Sequence, residues 1–208
     1  MYQLYCARNT YAMGVHVLLE ELGVAYQLCE VTLYSDPADP DFIEVSPHAR
    51  VPALRYAGGT IFESGAIAIY LTDRYGERGF GVATGDPDRP LFLQWMMYLS
   101  STLQPEVLIQ FHPENYFADA VQQQQLKKAS MARLNNIWSV LDDAYKDGPW
   151  IIDNRPTAVD VCLAIQAQWS INFPGSIADF PNVHRMLQTI SKRRAYRQVM
   201  QWHQGSDD

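Results

Sequence analysis

The chain has 208 residues, 48% of them hydrophobic and 19% charged, which is typical of a folded protein with a sizeable core and not of a disordered one. Its formal net charge of -7 argues against binding nucleic acid or an anionic membrane surface, because either partner needs a basic face. The apolar stretches are far shorter than the ~20 residues that span a bilayer, and residues 1–11 do not resemble a signal peptide, so we expect a cytoplasmic protein.

The three cysteines, Cys6, Cys29 and Cys162, are widely separated along the chain. They form neither a CxxC pair nor a spacing typical of metal ligands. We therefore expect three buried free thiols in a reducing compartment, and no metal site.

The first 75 residues alternate between strand and helix patterns. Short apolar runs indicate strands, and apolar residues at helical spacing indicate helices, with Gly23 where a helix C-terminus favours glycine. Glycines between two apolar runs predict a hairpin. The predicted elements are a strand at 2–6, a helix at 12–22, a strand at 26–32, a short helix near 42–45, strands at 53–56 and 60–62, and a helix at 64–75. This order predicts an α/β domain.

The rest of the chain has a helical pattern. Residues 76–90 contain glycines and prolines without apolar periodicity, as in a linker. Helices are predicted at 90–102, 119–146, 157–169, 182–191 and 195–203. We therefore divide the chain into an α/β domain at residues 1–77, a linker at 78–89 and an all-helical domain at 90–208.

Two motifs flank the predicted hairpin. Pro52 directly precedes a strand, where its missing N–H restricts it to the strand entry or a bend. Ser64 precedes an apolar helical run and is a candidate N-cap, and a helix N-terminus favours a carboxylate or a phosphate. Both residues also fit purely structural roles, as a strand-entry proline and a plain helix cap.

The turn between the first strand and the first helix carries hydroxyl groups. Thr10 and Tyr11 lie at the start of the helix, where a hydroxyl and free backbone N–H groups stabilise a thiolate and lower the pKa of a bound thiol. Structural roles are the alternative, with Thr10 capping the helix and Tyr11 packing against its neighbours.

Together these features resemble the soluble glutathione transferases, of the bacterial type. The resemblance rests on the element order, on the sequence Val-Pro-Ala-Leu at 51–54 and on Glu-Ser-Gly-Ala-Ile at 63–67, with support from residues 19–23 and 46–47. Thr157 and Asp160 match the capping box that begins the central C-terminal helix of that family. The resemblance implies a thioredoxin-like N-terminal domain followed by an all-α C-terminal helical bundle.

The resemblance also implies a site for glutathione, as co-substrate, without a metal. In the family the proline of the Val-Pro-Ala-Leu motif is cis, which here is Pro52, and the backbone of the preceding residue, Val51, pairs with the cysteinyl part of glutathione. Ser64 and its N–H bind the γ-glutamyl carboxylate, and Glu63 helps with the ammonium group.

Further residues complete the implied site. Arg50, with His48 as a second candidate, approaches the glycyl carboxylate, since a guanidinium suits that role. A small, apolar electrophile is expected against the first helix of the C-terminal domain, lined by Tyr98, Thr102, Gln104 and the stretch at 111–116 with His112. The family is usually dimeric, so a homodimer is expected, with no nucleic-acid or membrane partner.

The catalytic position departs from the family pattern. An alignment with the glutaredoxin pattern puts Thr10 where a cysteine is expected, and an alignment with bacterial beta-like sequences puts Tyr11 there. We rank Thr10 first, Tyr11 second and Asn9 third as the group that activates the thiol. Cys6 lies at the strand end, too early to replace the missing cysteine.

The expected activity is conjugation of the glutathione thiol to a small electrophile, with the bound thiolate stabilised by the protein. Two alternatives remain open on the same fold. One is a glutathione-dependent disulfide reductase or peroxidase, and the other is a non-catalytic glutathione-binding module.

Overall fold

The alternating pattern at the start of the chain forms a four-stranded mixed sheet in the computed structural model, which describes residues 1–35, 39–152, 154–174 and 177–205. The strands are β1 (Tyr2–Cys6), β2 (Tyr26–Glu30), β3 (Ala53–Tyr56) and β4 (Gly59–Phe62), in the order β2-β1-β3-β4. Strand β1 is parallel to β2 and antiparallel to β3, and β3 is antiparallel to β4. The predicted α/β domain is confirmed.

Three helices accompany this sheet: α1 (Ala12–Glu21), α2 (Pro40–Val45) and α3 (Ser64–Arg74). Helix α1 is buried over its first eight residues because it packs against β1 and α3 as well as the last helix of the chain. It ends where Gly23 adopts a left-handed φ of 60°, as its position in the sequence predicts.

The two faces of the sheet bury different residues because side chains alternate along a strand. Leu4 and Leu54 are paired across β1 and β3 and are fully buried. Their neighbours Tyr5 and Ala53 belong to a second cluster, in which the Tyr5 ring stacks on Phe42 of α2 with a centroid separation of 6.1 Å. Phe42 and Val45 of α2 therefore pack on the face opposite Leu4.

The rest of the described chain is helical, as predicted, and contains α4 (Arg89–Tyr98), α5 (Gln104–Phe111), α6 (Ala120–Ala144), α7 (Ala158–Ser170), α8 (Pro181–Ile190) and α9 (Arg194–Gln204). The prediction of one helix at 90–102 was incomplete, because α4 continues through a π-helical turn at Leu99–Leu103 into α5. Pro105 lies in the first turn of α5 and has no N–H to donate to the preceding turn, so the regular hydrogen-bond ladder is interrupted here.

The predicted capping box of α7 is present and buried. Asp160 is 0% exposed and accepts hydrogen bonds from the Thr157 N–H (2.6 Å), the Thr157 hydroxyl (2.9 Å) and the Tyr145 hydroxyl (2.7 Å). Burial raises the pKa of this carboxyl, and the four groups that donate to it, which include the Ile151 N–H, act in the opposite direction. The box therefore anchors the start of α7 to the end of α6.

Two compact units divide the chain at a different place from the predicted domains. The first unit contains residues 1–89 together with 191–208, and the second contains residues 90–190. Residues 191–208 group with the first unit because α9 packs against α1, and the Arg193 guanidinium donates to both carboxylate oxygens of Glu21, at 2.5 and 2.8 Å. The first unit is thus built from both ends of the chain.

A pair of histidines is buried where α9 meets α1. His203 is 0% exposed, His16 is 3% exposed, and their facing ring nitrogens are 3.3 Å apart. Burial lowers the pKa of His16 from 6.5 to about 4. It also lowers the pKa of His203 to about 3, with further contributions from His16 and the Arg8 guanidinium. Both rings are therefore neutral at physiological pH.

We predict that the first unit loses stability as the pH falls from about 6.5 to about 4. In that window the histidines are protonated in the unfolded chain but neutral in the folded one. Each histidine therefore lowers the free energy of unfolding by up to ~1.4 kcal/mol for each pH unit of acidification. Chemical denaturation at a series of pH values measures this slope. His203→Gln removes one of the two groups and should give a shallower slope.

The exposed His48 provides the control for this experiment. His48→Gln should leave the pH dependence of unfolding as in the parent protein. An equal slope in the parent and in His203→Gln would contradict the prediction.

Candidate functional site

The register of the sheet brings the three sequence motifs to the same end of the first unit. Tyr5 of β1 is paired with Ala53 of β3, and Ala53 is paired with Phe62 of β4. The turn at residues 7–11 therefore leaves β1 at the end where residues 51–52 enter β3 and where residues 63–64 leave β4. Three separate segments thus lie at one end of the sheet.

The loop that enters β3 contains a cis peptide bond between Val51 and Pro52, as the resemblance implies. The buried Ser46 hydroxyl makes two hydrogen bonds to the backbone of Arg50, the residue before Val51. It accepts a hydrogen bond from the Arg50 N–H at 3.0 Å and donates one to the Arg50 carbonyl at 2.8 Å. Together with a backbone hydrogen bond from the Ala49 N–H to the Ser46 carbonyl at 2.9 Å, this side chain holds the loop, while the Arg50 and His48 side chains are exposed.

The backbone of Val51 is available for pairing with a ligand. Within the described part of the chain, neither its N–H nor its carbonyl makes a hydrogen bond, although β3 begins only two residues later. A half-buried backbone group with no partner favours a peptide-like ligand that completes the pairing. Val51 remains a predicted binding residue with geometry suited to that role.

The N-terminus of α3 lies at the end of β4. Ser64 is the first helical residue and is 7% exposed, and the first helical backbone bond runs from the Ile67 N–H to the Glu63 carbonyl at 2.9 Å. The N–H groups of residues 64–66 precede that bond and, by helix geometry, point out of the helix end. This arrangement suits a carboxylate.

Glu63 occupies the N-cap position in an unfavourable backbone conformation. Its φ is 72° and its ψ is 115°, in the region that favours glycine, and its side chain is exposed and makes no cap hydrogen bond. The sequence suggested Ser64 as the N-cap, but Glu63 holds that position and Ser64 is the first helical residue. The conformation of Glu63 turns the chain sharply from β4 into α3.

The Thr10 hydroxyl is occupied within its own turn. It donates to the Ala7 carbonyl at 2.6 Å, and Tyr11 precedes α1 without a side-chain cap. Thr10 thus does not cap α1 through its hydroxyl. Asn9 adopts a left-handed φ of 54°, and its N–H donates to His203 Nδ1 at 3.2 Å. The turn is held by internal and long-range hydrogen bonds rather than by a cap.

The cysteines do not offer a thiolate nucleophile. Cys6 is fully buried, and burial raises the pKa of its thiol to about 12. Burial has the same effect on Cys162, and it raises the pKa of the half-buried Cys29. All three are free thiols, but Cys29 is less buried than the sequence predicted. None of the three environments therefore favours a thiolate.

The residues predicted to contact a second substrate lie in the second unit. Tyr98 ends α4 and packs edge-on against Trp95, Thr102 lies in the π-helical turn, and Gln104 begins α5. His112 follows α5, and its Nδ1 is 2.9 Å from Glu114 Oε1. These four assignments stay predictions.

Ser46 and His203 are two parts of this end of the first unit that sequence analysis did not identify. Ser46 is four residues before Arg50 in a loop, and serine in that position often bonds to the nearby backbone, so a local signal existed. His203 is 194 residues from Asn9, and nothing local indicates that contact.

Neither a metal-binding cluster nor a membrane-spanning helix is found in the described ranges. In those residues, no three His, Cys, Asp or Glu side chains are grouped so as to hold a metal ion. Likewise, none of the helices described here has both the length and the apolar composition needed to cross a bilayer.

Comparison with known proteins extends the resemblance over most of the chain. Residues 1–73 match the family "Glutathione S-transferase, N-terminal domain", and residues 98–194 match "Glutathione S-transferase, C-terminal domain". The chain is 23% identical to the glutathione S-transferase GstA of Escherichia coli O157:H7, over 92% of this chain and 93% of that protein. It is 25% identical to the disulfide-bond oxidoreductase YfcG of Escherichia coli K12, over 96% and 94%.

A solved structure with bound ligand shows the same fold. It is a glutathione transferase family member from Pseudomonas fluorescens with two glutathione molecules bound. Its TM-score to this chain is 0.82, with 25% sequence identity, and the match covers 96% of this chain and 92% of that one.

We predict that Glu63→Gly is more stable than Glu63→Ala, by about 1 kcal/mol, because alanine keeps the Cβ that disfavours a φ of 72° and glycine does not. Urea unfolding of the two variants measures the difference. At Glu44, which is exposed in α2, the same pair should show the opposite order, since glycine destabilises a helix relative to alanine. Alanine being the more stable at both positions would rule out strain at Glu63.

Proposed function

This chain belongs to the glutathione S-transferase family, and we propose that it binds glutathione in its first unit and conjugates the glutathione thiol to a small, apolar electrophile. One observation carries the proposal. The sheet register brings three features to one end of the sheet: the unpaired backbone of Val51, the N-terminus of α3 and the hydroxyl-bearing turn before α1. A tripeptide with two carboxylates and one thiol matches those three features.

The binding half of the proposal follows from the chemistry of each feature. The Val51 N–H and carbonyl pair with the cysteinyl backbone, as a strand-like ligand would. Ser64 and the N–H groups of its helix turn receive the γ-glutamyl carboxylate, and the exposed Glu63 carboxylate lies next in the chain to receive the ammonium group. Arg50 is the proposed partner of the glycyl carboxylate.

The catalytic half requires a donor that stabilises the thiolate. We propose that the Thr10 hydroxyl turns from the Ala7 carbonyl to the sulfur, with Tyr11 as the second candidate and Asn9 as the third. The thiol proton leaves to solvent, and the thiolate sulfur forms the new bond to an electrophilic carbon, which gives up its leaving group with the bonding electrons. Proximity of the bound thiolate to the electrophile supplies part of the rate.

The remaining parts of the proposal rest on family membership. Tyr98, Thr102, Gln104 and His112 are the proposed contacts of the electrophile. A homodimer and a cytoplasmic location are proposed as well.

A second candidate is reduction of a disulfide by two glutathione molecules, which yields two thiols and glutathione disulfide. The relative named a disulfide-bond oxidoreductase and the structure with two glutathione molecules favour it. With two glutathione molecules the reaction needs no thiol of the protein. Turnover of a chloronitrobenzene supports conjugation, and turnover of hydroxyethyl disulfide supports reduction. Retention on immobilised glutathione without either turnover supports a non-catalytic binder.

We predict that Ser64→Ala weakens glutathione binding by about 1–3 kcal/mol, because the γ-glutamyl carboxylate loses its hydrogen bond to the buried Ser64 hydroxyl. Isothermal titration calorimetry of the variant measures this loss. The matched control is Ser139→Ala, on an exposed position of α6, which should bind glutathione as the parent does. Unchanged affinity in Ser64→Ala would overturn the assignment of the site.

We predict that Thr10→Val raises the pKa of the bound glutathione thiol by about one to two pH units, whereas Tyr11→Phe leaves it unchanged. Loss of a hydroxyl donor to the thiolate has this sign, since the donor favours the charged form. The ultraviolet absorbance of the thiolate, measured against pH in each complex, gives the pKa. A shift only in Tyr11→Phe would transfer the role to Tyr11.

A further inference from the structure

The last helix of the chain reaches the turn that precedes α1. The Asn9 N–H donates to Nδ1 of His203, and the Arg8 guanidinium donates to the Trp202 carbonyl at 3.0 Å. The same guanidinium lies 5.0 Å from the centre of the Trp202 ring and donates through Nε to Glu30 at 3.1 Å. Two consecutive residues of the turn are therefore tied to two consecutive residues of α9.

His203 is itself one member of a series of buried and half-buried hydrogen bonds. Its Nε2 is 3.3 Å from Nδ1 of His16, and Nε2 of His16 is 2.8 Å from the Tyr26 hydroxyl. The Tyr26 hydroxyl in turn donates to a carboxylate oxygen of Glu20. Five groups are thus connected from the backbone of the turn to the carboxylate of Glu20.

The direction of this series is fixed at both ends. A backbone N–H only donates, so Nδ1 of His203 must accept and its proton must be on Nε2. That proton is donated to Nδ1 of His16, whose own proton on Nε2 is donated to the Tyr26 oxygen. Moving any one proton would place two donors or two acceptors face to face. The Glu20 carboxylate therefore favours the tautomer in which Nδ1 of His203, the nitrogen that faces the turn, carries no proton.

The buried imidazole of His203, in this one tautomer, holds the backbone of the turn as well as packing between two helices. Asn9 is held with a left-handed φ of 54°, and its N–H has a fixed acceptor in His203. The next residue is Thr10, whose hydroxyl donates back to Ala7. The position of Thr10 and Tyr11 thus depends on where α9 holds Asn9.

We propose that His203 is a positioning residue for the thiol-activating turn, and that the series through His16, Tyr26 and Glu20 supplies the tautomer that this role needs. The role rests on the proposed function, because it acts on the turn that is proposed to stabilise the thiolate. His203 does not touch the substrate.

Two substitutions of His203 separate the acceptor from the packing. In His203→Asn the amide oxygen takes the place of Nδ1 and still accepts from the Asn9 N–H. In His203→Gln the amide reaches the place of Nε2 and still meets His16, but the acceptor for Asn9 is lost. The two side chains are polar and uncharged, so each variant serves as the control for the other.

We expect His203→Gln to lower kcat for conjugation by about 10- to 100-fold, since small displacements of catalytic groups have effects of that size. The pKa of the bound thiol should rise in the same variant, while the dissociation constant of glutathione stays within about twofold of the parent value. His203→Asn should keep kcat within about threefold of the parent. Denaturation of both variants at neutral pH shows how much of each preparation is folded, and kcat is referred to that fraction.

Hydrogen exchange at the Asn9 amide tests the contact without any ligand or turnover. In the parent and in His203→Asn this amide should exchange slowly, and in His203→Gln it should exchange at least tenfold faster. Equal kcat values in the two variants, or equal exchange rates at Asn9, would overturn the positioning role. If the parent neither binds nor turns over glutathione, the proposed function fails, and the exchange rates still decide whether His203 holds the turn.

Discussion

The pairing of Tyr5 with Ala53, and of Ala53 with Phe62, is the constraint on which the site depends. A slip of one residue between β1 and β3 would turn every side chain of one strand to the other face, so Leu4 or Leu54 would leave the core. It would also move the loop before β3 relative to the turn after β1. Burial of Leu4 and Leu54 therefore fixes the register of β1 and β3, and that register places the turn and the loop beside each other.

Much of this arrangement is predictable from local sequence. Alternating apolar runs separated by helical periodicity gave the element order, and Gly23 marked the end of α1 through a backbone conformation that glycine favours. The capping box of α7 was readable because Thr157 and Asp160 are only three residues apart. Signals of this kind need no knowledge of distant contacts, and they cover the strands, most of the helices and the two motifs beside the hairpin.

The features that sequence analysis missed depend on contacts between distant residues or on subtle backbone geometry. Pro105 marks a break in a helical stretch of the sequence. The sequence does not show that this break takes the form of a π-helical turn between α4 and α5. Glu63 gave no sign of its left-handed conformation, since glutamate has no preference for it. The placement of α9 beside α1 depends on His16, Glu21 and their partners almost two hundred residues away, and periodicity within α9 says only that one face is buried.

The first unit contains residues 1–89 and 191–208, so the second unit is inserted between two parts of the first in the sequence. During synthesis the sheet can form early, but the turn before α1 lacks its partners until the last helix has emerged from the ribosome. Folding of the first unit is therefore completed only after the whole second unit has been made. A fragment that ends at the linker would contain every glutathione-binding candidate and still lack the groups that hold Arg8 and Asn9 in place.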